Sequence, residues 1–340
     1  MAMPTLDDIA REVGVHPSTV SRALNPTRAA MVREETRLAV IEAARRLGYR
    51  PHMIARGLQS GRTATIGVIA ADLGNPFVTP IIHQITAALE TSDMMPVIAE
   101  TQDDHERFAR IVDHMLGRRV DGLVAVAARV GDQQILEEAA KAVPVVVAAR
   151  PLPLSSLPQV IHDDAAGARL AAGHLHDLGH RRVAQLRGPL DVANFEQRAS
   201  AFTDACRRLG MNEVEVAGQA FRPVFEEGER LARRMLELEG PGPTAVFAHN
   251  DLMAMGALAV LREAGLIVPA DVSLVGYNDL PMMDLVAPPL TTVRYPSDAI
   301  GREAGRLVVE LLAGEQPRQV VLSPSLVVRA STTLVDAAND

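Results

Sequence analysis

The chain has 340 residues, of which 48% are hydrophobic and 22% charged, a globular composition long enough for two or three domains and too apolar for a disordered protein. Its single cysteine, Cys206, excludes an intrachain disulfide and fits a reducing cytoplasm. Neither a secretion signal nor a run of roughly 18 apolar residues is present, so we expect no export and no membrane partner.

The net charge of −8 is distributed unevenly along the chain. Through Arg62 there are ten arginines against six acidic residues, a local charge of +4 that leaves −12 for the remainder. A basic N-terminal module on an acidic body is typical of a nucleic-acid reader joined to a separate regulatory domain.

Three short amphipathic helices are predicted in the first fifty residues. Thr5 caps the first, over "LDDIAREV", with Asp8 at the capping-box position and Gly14 at its end. Pro17 fits the first position of the second helix, where its missing N–H costs nothing. The third helix covers "REETRLAVIEAARRLG". Its inward residues are expected to be Val40, Ile41, Ala44 and Leu47.

The outward residues of the second helix suit a DNA surface. Helix, tight turn, helix and a supporting helix form the helix-turn-helix arrangement, whose second helix enters the major groove of double-stranded DNA. Short hydroxyl and amide side chains fit close to phosphates, and Arg22 can bind guanine O6 and N7 together. The predicted DNA contacts of this all-α head are Thr5, Pro17, Ser18, Thr19, Ser21, Arg22 and Asn25. A three-helix protein-interaction module would have the same core and is the alternative at this point.

From Thr63 onward the pattern changes to buried strands separated by helical segments. The apolar runs are "TIGVIA", "MMPVIAE", "DGLVAVAA", "VPVVVAA", "RVAQLRG", "TAVFAHN" and "DVSLVGYND". This alternation predicts an α/β body of parallel sheets flanked by helices, with ligands bound beyond the carboxyl ends of the strands. The spacing divides the body into two lobes, 63–160 with 291–320 and 161–290 with 321–340, after a head at 1–50 and a linker at 51–62.

The residues that follow several of these strands are candidates for ligand contact. They are Asp72, Asn75 and Phe77 in "ADLGNPF", Asn250 and Asp251 in "AHND", and Asn278 and Asp279 in "GYND". Amides, a carboxylate and Arg198 around one cleft suit a small polar ligand with hydroxyls or an anionic group. Helix and turn capping is the alternative for each of these residues, and Asp251 and Asp279 are the ones we expect to be caps.

The N-terminal motifs resemble a known family. "TLDDIAREVGVHPSTVSRALN", followed by "VREETRLAVIEAARRLGYRPHMIARGLQSGRT", is similar to the DNA-binding signature of the lactose-repressor (LacI) family of bacterial transcription regulators, and the resemblance extends to about Thr333. It implies a two-lobed, periplasmic-binding-protein-like body with the ligand between the lobes. In that family the two residues opening the recognition helix choose the operator. Here they are Pro17 and Ser18, and because Pro17 has no polar side chain, Ser18 and Arg22 are the main predicted base readers.

The family's hinge helix matches "HMIARGLQ" in the linker. The resemblance makes Leu58 the apolar wedge inserted into the minor groove at the operator centre, with Ala55 beside it. Gly57 is a poor helix former, so this helix is expected to fold only when two copies place theirs side by side on DNA.

The resemblance also places the effector contacts of the body. By position they are Asn75, Phe77, Arg198, Asn250 and Asn278. Ala149 and Asn278 stand where many members have carboxylates, which makes a neutral, galactoside-like sugar less expected, and Arg198 favours a sugar acid or a phosphorylated sugar. The chain has no tryptophan. A platform for a sugar ring would therefore have to come from Phe77, Phe195, Phe221 or Tyr277.

No motif supports catalysis or a cofactor, and we predict none. "HLHDLGH" places His176 and His180 four residues apart, the spacing of a metal pair, but Gly179 indicates a helix end between them, and we predict no metal site.

The predicted function is that of a cytoplasmic, nucleoid-associated repressor. It would bind a palindromic operator as a homodimer, because "ASTTLVDAAND" has no apolar heptads for a larger assembly, and a small-molecule effector would release it. A co-repressor that tightens DNA binding is the alternative. A ligand-binding sensor or enzyme with an accessory N-terminal module is the rival from another class.

Overall fold

A computed structural model describes residues 4–24, 28–49, 62–126 and 128–335. The chain divides into two compact units, Met1–Thr63 and Ala64–Asp340. Across the described ranges, no helix has the length and apolarity that crossing a bilayer requires.

The first unit is the predicted helical head. Its helices are α1 (Leu6–Val13), α2 (Pro17–Ala23) and α3 (Glu34–Leu47), with a 3₁₀ turn at Ala29–Met31. Their buried core includes Ile9, Val20 and Val40. The prediction that Ile41 points inward is wrong, since 40% of its surface is exposed and Ala43 is buried instead. Position 43 shares the inward face with 40, 44 and 47, whereas position 41 lies about 100° around the helix from 40.

Six strands form the sheet of the first lobe of the second unit, in the order β11-β5-β4-β3-β1-β2, with parallel neighbours throughout. The strands are β1 (Thr65–Ala70), β2 (Met95–Glu100), β3 (Gly122–Ala125), β4 (Val145–Ala148), β5 (Gln159–His162) and β11 (Gln319–Leu322). The helices of this lobe are α4 (Val78–Glu90), α5 (His105–Gly117), α6 (Gln133–Ala139) and α11 (Ser297–Leu312). The central strands are rich in valine and fully buried, because helices cover both faces of such a sheet.

The second lobe repeats this plan in the order β12-β10-β9-β8-β6-β7, with β12 antiparallel to β10. Its strands are β6 (Arg182–Leu186), β7 (Asn212–Val214), β8 (Ala245–Ala248), β9 (Ser273–Asn278), β10 (Thr291–Arg294) and β12 (Ser325–Val327). Its helices are α7 (Asp164–Asp177), α8 (Ala193–Leu209), α9 (Phe225–Leu236) and α10 (Asp251–Glu263). The predicted class, an α/β body of parallel sheets flanked by helices, is confirmed.

The chain crosses between the lobes three times, after β5, after β10 and after β11. The prediction that 291–320 belongs to the first lobe is wrong at its start, because β10 pairs with β9 in the second sheet. The boundary at 320 is also early, since β11 continues to Leu322 beside β5. No α-helix separates β9 from β10 in this fully described segment, as none separates β4 from β5, so the helical signal that marks most strand connections is missing here.

Two of the apolar runs are separated by more than the single helix predicted. Between "RVAQLRG" and "TAVFAHN" lie α8, β7 and α9. The strand β5 was likewise not recognised among the apolar runs.

Glycines let two pairs of helices pack closely. A Cβ atom at Gly256 of α10 would lie 2.1 Å from the backbone oxygen of Phe225 at the start of α9, and one at Gly228 would lie 2.2 Å from the oxygen of Met253. A Cβ at Gly301 of α11 would meet the oxygen of Ile81 in α4 at 2.2 Å. Side chains at these positions would therefore separate the helices.

Candidate functional site

Thr5 begins α1 with a complete capping box. Its hydroxyl accepts a hydrogen bond from the Asp8 N–H at 3.3 Å, and the Asp8 carboxylate accepts from the Thr5 N–H at 2.9 Å. Gly14 ends the helix in the left-handed region, with φ at 70°. The predicted cap is confirmed. Contact of Thr5 with DNA stays a prediction, and within the head the Thr5 hydroxyl also donates to Asp8 at 2.7 Å.

The recognition helix α2 begins at Pro17, as predicted, and His16 is its N-cap. The Ser18 N–H donates to His16 Nδ1 at 3.2 Å, and the Ser18 hydroxyl lies 2.8 Å from the same nitrogen. Sequence reasoning missed His16. The available signal was its position directly before a proline at the first helical residue, where a capping side chain is common.

Ser18 and Arg22 are exposed one turn apart on α2, with Arg22 Nη2 3.5 Å from Ser18 Oγ. Pro17, Thr19 and Ser21 are half-buried. The two main predicted base readers are thus accessible to a DNA groove, as major-groove contact requires. Three other predicted DNA contacts, Asn25, Ala55 and Leu58, lie outside the described residues.

One cleft between the lobes of the second unit brings all five predicted effector residues together. Asn75 and Phe77 follow β1, Arg198 lies in α8, Asn250 precedes α10, and Asn278 ends β9. The empty volume of the cleft is about 610 Å³, part of it open to solvent. Clefts between two lobes are common binding sites for small molecules.

Arg198 is buried at the base of this cleft. Its Nε donates to Asp164 Oδ1 at 2.7 Å and its Nη1 to the His249 carbonyl oxygen at 2.5 Å. The guanidinium carbon lies 3.6 Å from the centre of the Tyr277 ring. Burial raises the pKa of Asp164 to about 6, although Arg198 opposes that shift. Since Arg198 already has a carboxylate, it is not the free cation that an anionic ligand would require.

Asn250 has a structural role as the N-cap of α10. Its Oδ1 accepts from the Met253 N–H and its Nδ2 donates to the Pro223 carbonyl, both at 2.8 Å. The prediction that Asp251 caps the helix is wrong by one residue. Asp251 instead accepts from the Leu280 N–H at 2.7 Å and from the Thr292 hydroxyl at 2.6 Å.

Asp279 is not a helix cap either. Its carboxylate accepts from Arg294 Nε at 2.7 Å and from Arg329 Nη2 at 2.6 Å. These ion pairs join the end of β9 to β10 and to the segment after β12, so Asp279 holds the rim of the second sheet.

Two amide side chains in the cleft have buried oxygens without a hydrogen-bond partner among the described residues. They are Asn278 Oδ1 and Asn194 Oδ1, and Arg198 Nη2 is in the same condition. Asn194 was missed from the sequence, although it lies four residues before Arg198 and therefore on the same helical face. Buried polar atoms are rarely left unpaired, so these three are available to bind a ligand or water in the cleft.

Of the four aromatic residues proposed as platforms, Phe77 and Phe195 line the cleft. Phe77 packs edge-on against Tyr295, with ring centres 4.8 Å apart. Phe221 is 76% exposed beside Arg230, and Tyr277 is buried behind Arg198. Neither of these two is among the lining residues, so the prediction narrows to Phe77 and Phe195.

Ala149 has no carboxylate, but the residue after it, Arg150, is paired with one from another part of the chain. Arg150 donates through Nη1 to Asp103 Oδ1 at 2.5 Å, and Asp103 follows β2. Burial alone would raise the pKa of Asp103, but Arg150 and Arg129 outweigh it and lower that pKa below its usual range. Asp103 was missed because the partner that places it lies 47 residues away.

Two ion pairs cross the mouth of the cleft. Arg222 Nη2 of the second lobe lies 3.7 Å from Asp72 Oδ2 of the first. Arg129 of the first lobe donates to the carboxylate of Asp191 in the second. These pairs form only when the lobes are close together.

The histidines of "HLHDLGH" are used in packing. His176 lies in α7, whereas His180 lies beyond its end, as Gly179 predicted. His180 is buried, with Nδ1 2.9 Å from Thr244 Oγ1 and Nε2 3.1 Å from Ser273 Oγ. No group of three or more His, Cys, Asp or Glu residues in the described ranges is placed to hold a metal ion.

Comparison with known proteins follows the same division of the chain. Residues 5–52 match the bacterial regulatory proteins of the lacI family, and residues 172–332 match the periplasmic binding protein-like domain. The HTH-type transcriptional repressor CytR of Escherichia coli K12 is 32% identical over 333 residues, which cover 96% of each chain. The HTH-type transcriptional regulator CelR of Thermobifida fusca is 34% identical over 96% of this chain and 98% of its own.

Solved structures agree with these relatives. The Lac repressor dimer bound to operator and the anti-inducer ONPF superimposes with a TM-score of 0.89 at 29% identity, covering 98% of this chain and 100% of that one. The complex of the transcriptional regulator CelR with cellobiose gives a TM-score of 0.72 at 33% identity, covering 96% and 99%. The chain therefore belongs to the LacI family and is a DNA-binding transcriptional regulator, as the resemblance predicted.

Proposed function

We propose that the protein is a homodimeric repressor that binds a palindromic double-stranded DNA operator through α2 and is released by a small polar effector held in the cleft. The observation that carries the proposal is the exposed pair of Ser18 and Arg22 on a capped helix-turn-helix head. The segment that contains this head has a charge of +4 in an otherwise acidic chain. A local positive charge favours phosphates, and Arg22 supplies base discrimination.

A two-fold dimer places two heads on a palindrome. Support for dimerisation comes from large apolar side chains left exposed on the second unit, including Met95 and Ile98 on the edge strand β2 and Met282 and Leu285 after β9. Exposed apolar surface on an edge strand is ordinarily covered in the functional state. The Lac repressor, which this chain resembles, is described as a dimer on its operator.

The effector's part is to change the balance between two arrangements of the lobes. A ligand shifts that balance only by its difference in affinity for the two arrangements. The cross-cleft ion pairs of Asp72 and Asp191 support such a role, because they exist only while the lobes are close. In this proposal the protein acts in the cytoplasm at the nucleoid, has no enzymatic activity and uses no cofactor.

The test is to select binding sites from random DNA with purified protein and to measure affinity for the selected site over a range of salt concentrations. We expect a palindromic site and a log–log salt slope of several units, because a dimer displaces counterions from several phosphates. A flat salt dependence would contradict the proposal. A ligand that releases the protein identifies an inducer, whereas one that tightens binding would replace the inducer by a co-repressor.

Arg22→Ala sharpens this test. Loss of a bidentate contact to guanine should weaken specific binding by about 1–3 kcal/mol, roughly fivefold to more than a hundredfold, with a smaller effect on random DNA. Arg118→Ala is the matched control, since it removes the same charge from an exposed position on the body. Equal losses of affinity in the two variants would show that Arg22 does not contact the DNA bases.

A further inference from the structure

Each arginine that lines the cleft is paired with a carboxylate. The pairs are Arg198 with Asp164 at 2.7 Å, Arg150 with Asp103 at 2.5 Å, and Arg222 with Asp72 at 3.7 Å. Arg129, behind Asp103, also contacts Asp191 across the cleft. Three arginines and two aspartates line the cleft, and the buried Asp164 supplies the third carboxylate, so each lining arginine has a counter-charge.

This balance disfavours an anionic ligand. A carboxylate or phosphate must leave water to enter the cleft, and that cost is recovered in proteins by unpaired positive charge or by several donors. Burial also holds the pKa of His249 well below its usual value, so this neighbour of Arg198 adds no positive charge. Each of these arginines is therefore already paired with a carboxylate in the absence of ligand.

The unpaired polar atoms indicate what the ligand must offer. Arg198 Nη2 needs an acceptor, whereas Asn194 Oδ1 and Asn278 Oδ1 each need a donor. Rotating either amide by 180° would place its nitrogen at that buried position, which would then need an acceptor instead of a donor. An ionised carboxylate or phosphomonoester group offers acceptors for Arg198 but few or no donors for the amides. A hydroxyl group offers both.

Two aromatic rings complete the cleft. Phe77 enters it from the first lobe and Phe195 from the second. Their apolar surfaces suit the face of a ring.

We propose that the effector is an uncharged ring compound with at least two hydroxyl or N–H donors, a sugar or a nucleoside and not a sugar acid or a phosphorylated sugar. The proposal rests on the proposed function, in which the cleft is the effector site. It reverses the expectation drawn from Arg198 alone, because Asp164 already neutralises that side chain.

The first test uses the wild-type protein and calorimetric titration with neutral compounds, each paired with its anionic counterpart. Suitable pairs are galactose with galacturonate, cellobiose with cellobionate, and uridine with uridine 5′-monophosphate. We expect a neutral member to bind at least tenfold more tightly than its counterpart, and the pair that responds separates sugar from nucleoside. Equal or tighter binding of an anion, or no binding by any neutral member, would overturn the proposal.

Measurement of operator binding distinguishes failure of the proposed ligand class from failure of the proposed function. An anionic compound that releases the operator would overturn the uncharged effector and keep the proposed function. A neutral compound that binds the cleft but leaves operator affinity unchanged would support the ligand class and contradict the regulatory role.

The second test changes the charge balance directly. Asp164→Asn removes the counter-charge of Arg198 and should raise the affinity for the anionic members at least tenfold, with affinity for the neutral members changed by less than about threefold. Asp163→Asn is the matched control, since Asp163 is the half-exposed N-cap of α7 and asparagine caps equally well. Unchanged anion affinity in a folded Asp164→Asn protein would overturn the argument from charge.

A variant pair at Asn278 covers the case in which Asp164→Asn fails to fold. Asn278→Leu should weaken binding of the neutral ligand at least tenfold, and Asn278→Asp should keep most of it because an acceptor oxygen remains. Equal losses of ligand affinity in the two variants, or no loss in Asn278→Leu, would contradict the role of the amide oxygen.

Discussion

Arg198 is only 1% exposed, and the Asp164 carboxylate beside it is fully buried. Arg198→Ala would leave that carboxylate without a counter-charge, so we expect the free energy of unfolding to fall by about 3–5 kcal/mol. Urea denaturation followed by circular dichroism measures this loss. The double variant Arg198→Met with Asp164→Leu should recover most of it, since an apolar pair of similar volume needs no counter-charge. An alanine variant as stable as the wild type would show that the pair does not support the fold.

Asp251 gives the body a pH dependence. Burial raises its pKa to about 7, although hydrogen bonds from Thr292 and from the Leu280 N–H oppose the shift. A folded pKa above the ordinary value of 3.8 means that the contribution of Asp251 to stability is complete below 3.8 and is lost as the pH rises through about 7. We therefore expect Asp251→Asn to gain stability relative to wild type as the pH rises through this range.

Chemical denaturation at several pH values measures the effect. The exposed residue Asp204 supplies the control, and Asp204→Asn should leave the pH profile of the wild type unchanged. A constant difference between wild type and Asp251→Asn at every pH would contradict the raised pKa.

At the scale of elements, the contact of α9 with α10 depends on glycine. Because a Cβ at Gly256 would lie 2.1 Å from the Phe225 oxygen, Gly256→Ala should separate the helices and cost about 1–3 kcal/mol. Gly173→Ala is the matched control, since nothing lies within 4 Å of a Cβ there and alanine favours the helix by up to about 1 kcal/mol. The melting temperature should fall in Gly256→Ala and rise in Gly173→Ala. Equal melting temperatures would show that the helices adjust without cost.

The strands at the centres of the sheets were found because their burial is visible in composition. Runs such as "TIGVIA" are apolar throughout because helices cover both faces. The strand β10 was placed in the wrong lobe because its Thr291 and Thr292 are buried by hydrogen bonding, to Thr332 at 3.1 Å and to Asp251 at 2.6 Å. Partners so distant in sequence leave no periodic pattern to read.

The cleft, like the strands, was only partly predictable from the sequence. Asn75, Phe77, Arg198, Asn250 and Asn278 all line it, as positions at strand ends and the family resemblance predicted. What those residues do there depends on partners that only the fold identifies. Capping was the alternative weighed for Asn250 and is the role it has in the structure. The neutralisation of Arg198 by Asp164 could not be derived from spacing, because the two residues are 34 positions apart.

At the scale of the whole second unit, the ion pairs across the cleft favour its closed form. Asp191 is half exposed, so its pair with Arg129 is worth little on its own, yet it exists only when the lobes are close. Asp191→Ala should weaken binding of the tightest neutral ligand by about two- to fivefold. Calorimetric titration gives the comparison, with Asp204→Ala as control because that carboxylate pairs only within α8 in the described chain. Unchanged ligand affinity in Asp191→Ala would show that the pair does not help closure.

The three crossings of the chain after β5, β10 and β11 bear on how the lobes can move. A single covalent link would allow the two lobes to twist, slide and separate. Three links restrict these motions and leave rotation about the connecting segments as the easiest one. Thermal motion is then confined largely to opening and shutting. Ligand contacts inside the cleft act along that same rotation. A small molecule that contacts both walls therefore changes the angle between the lobes.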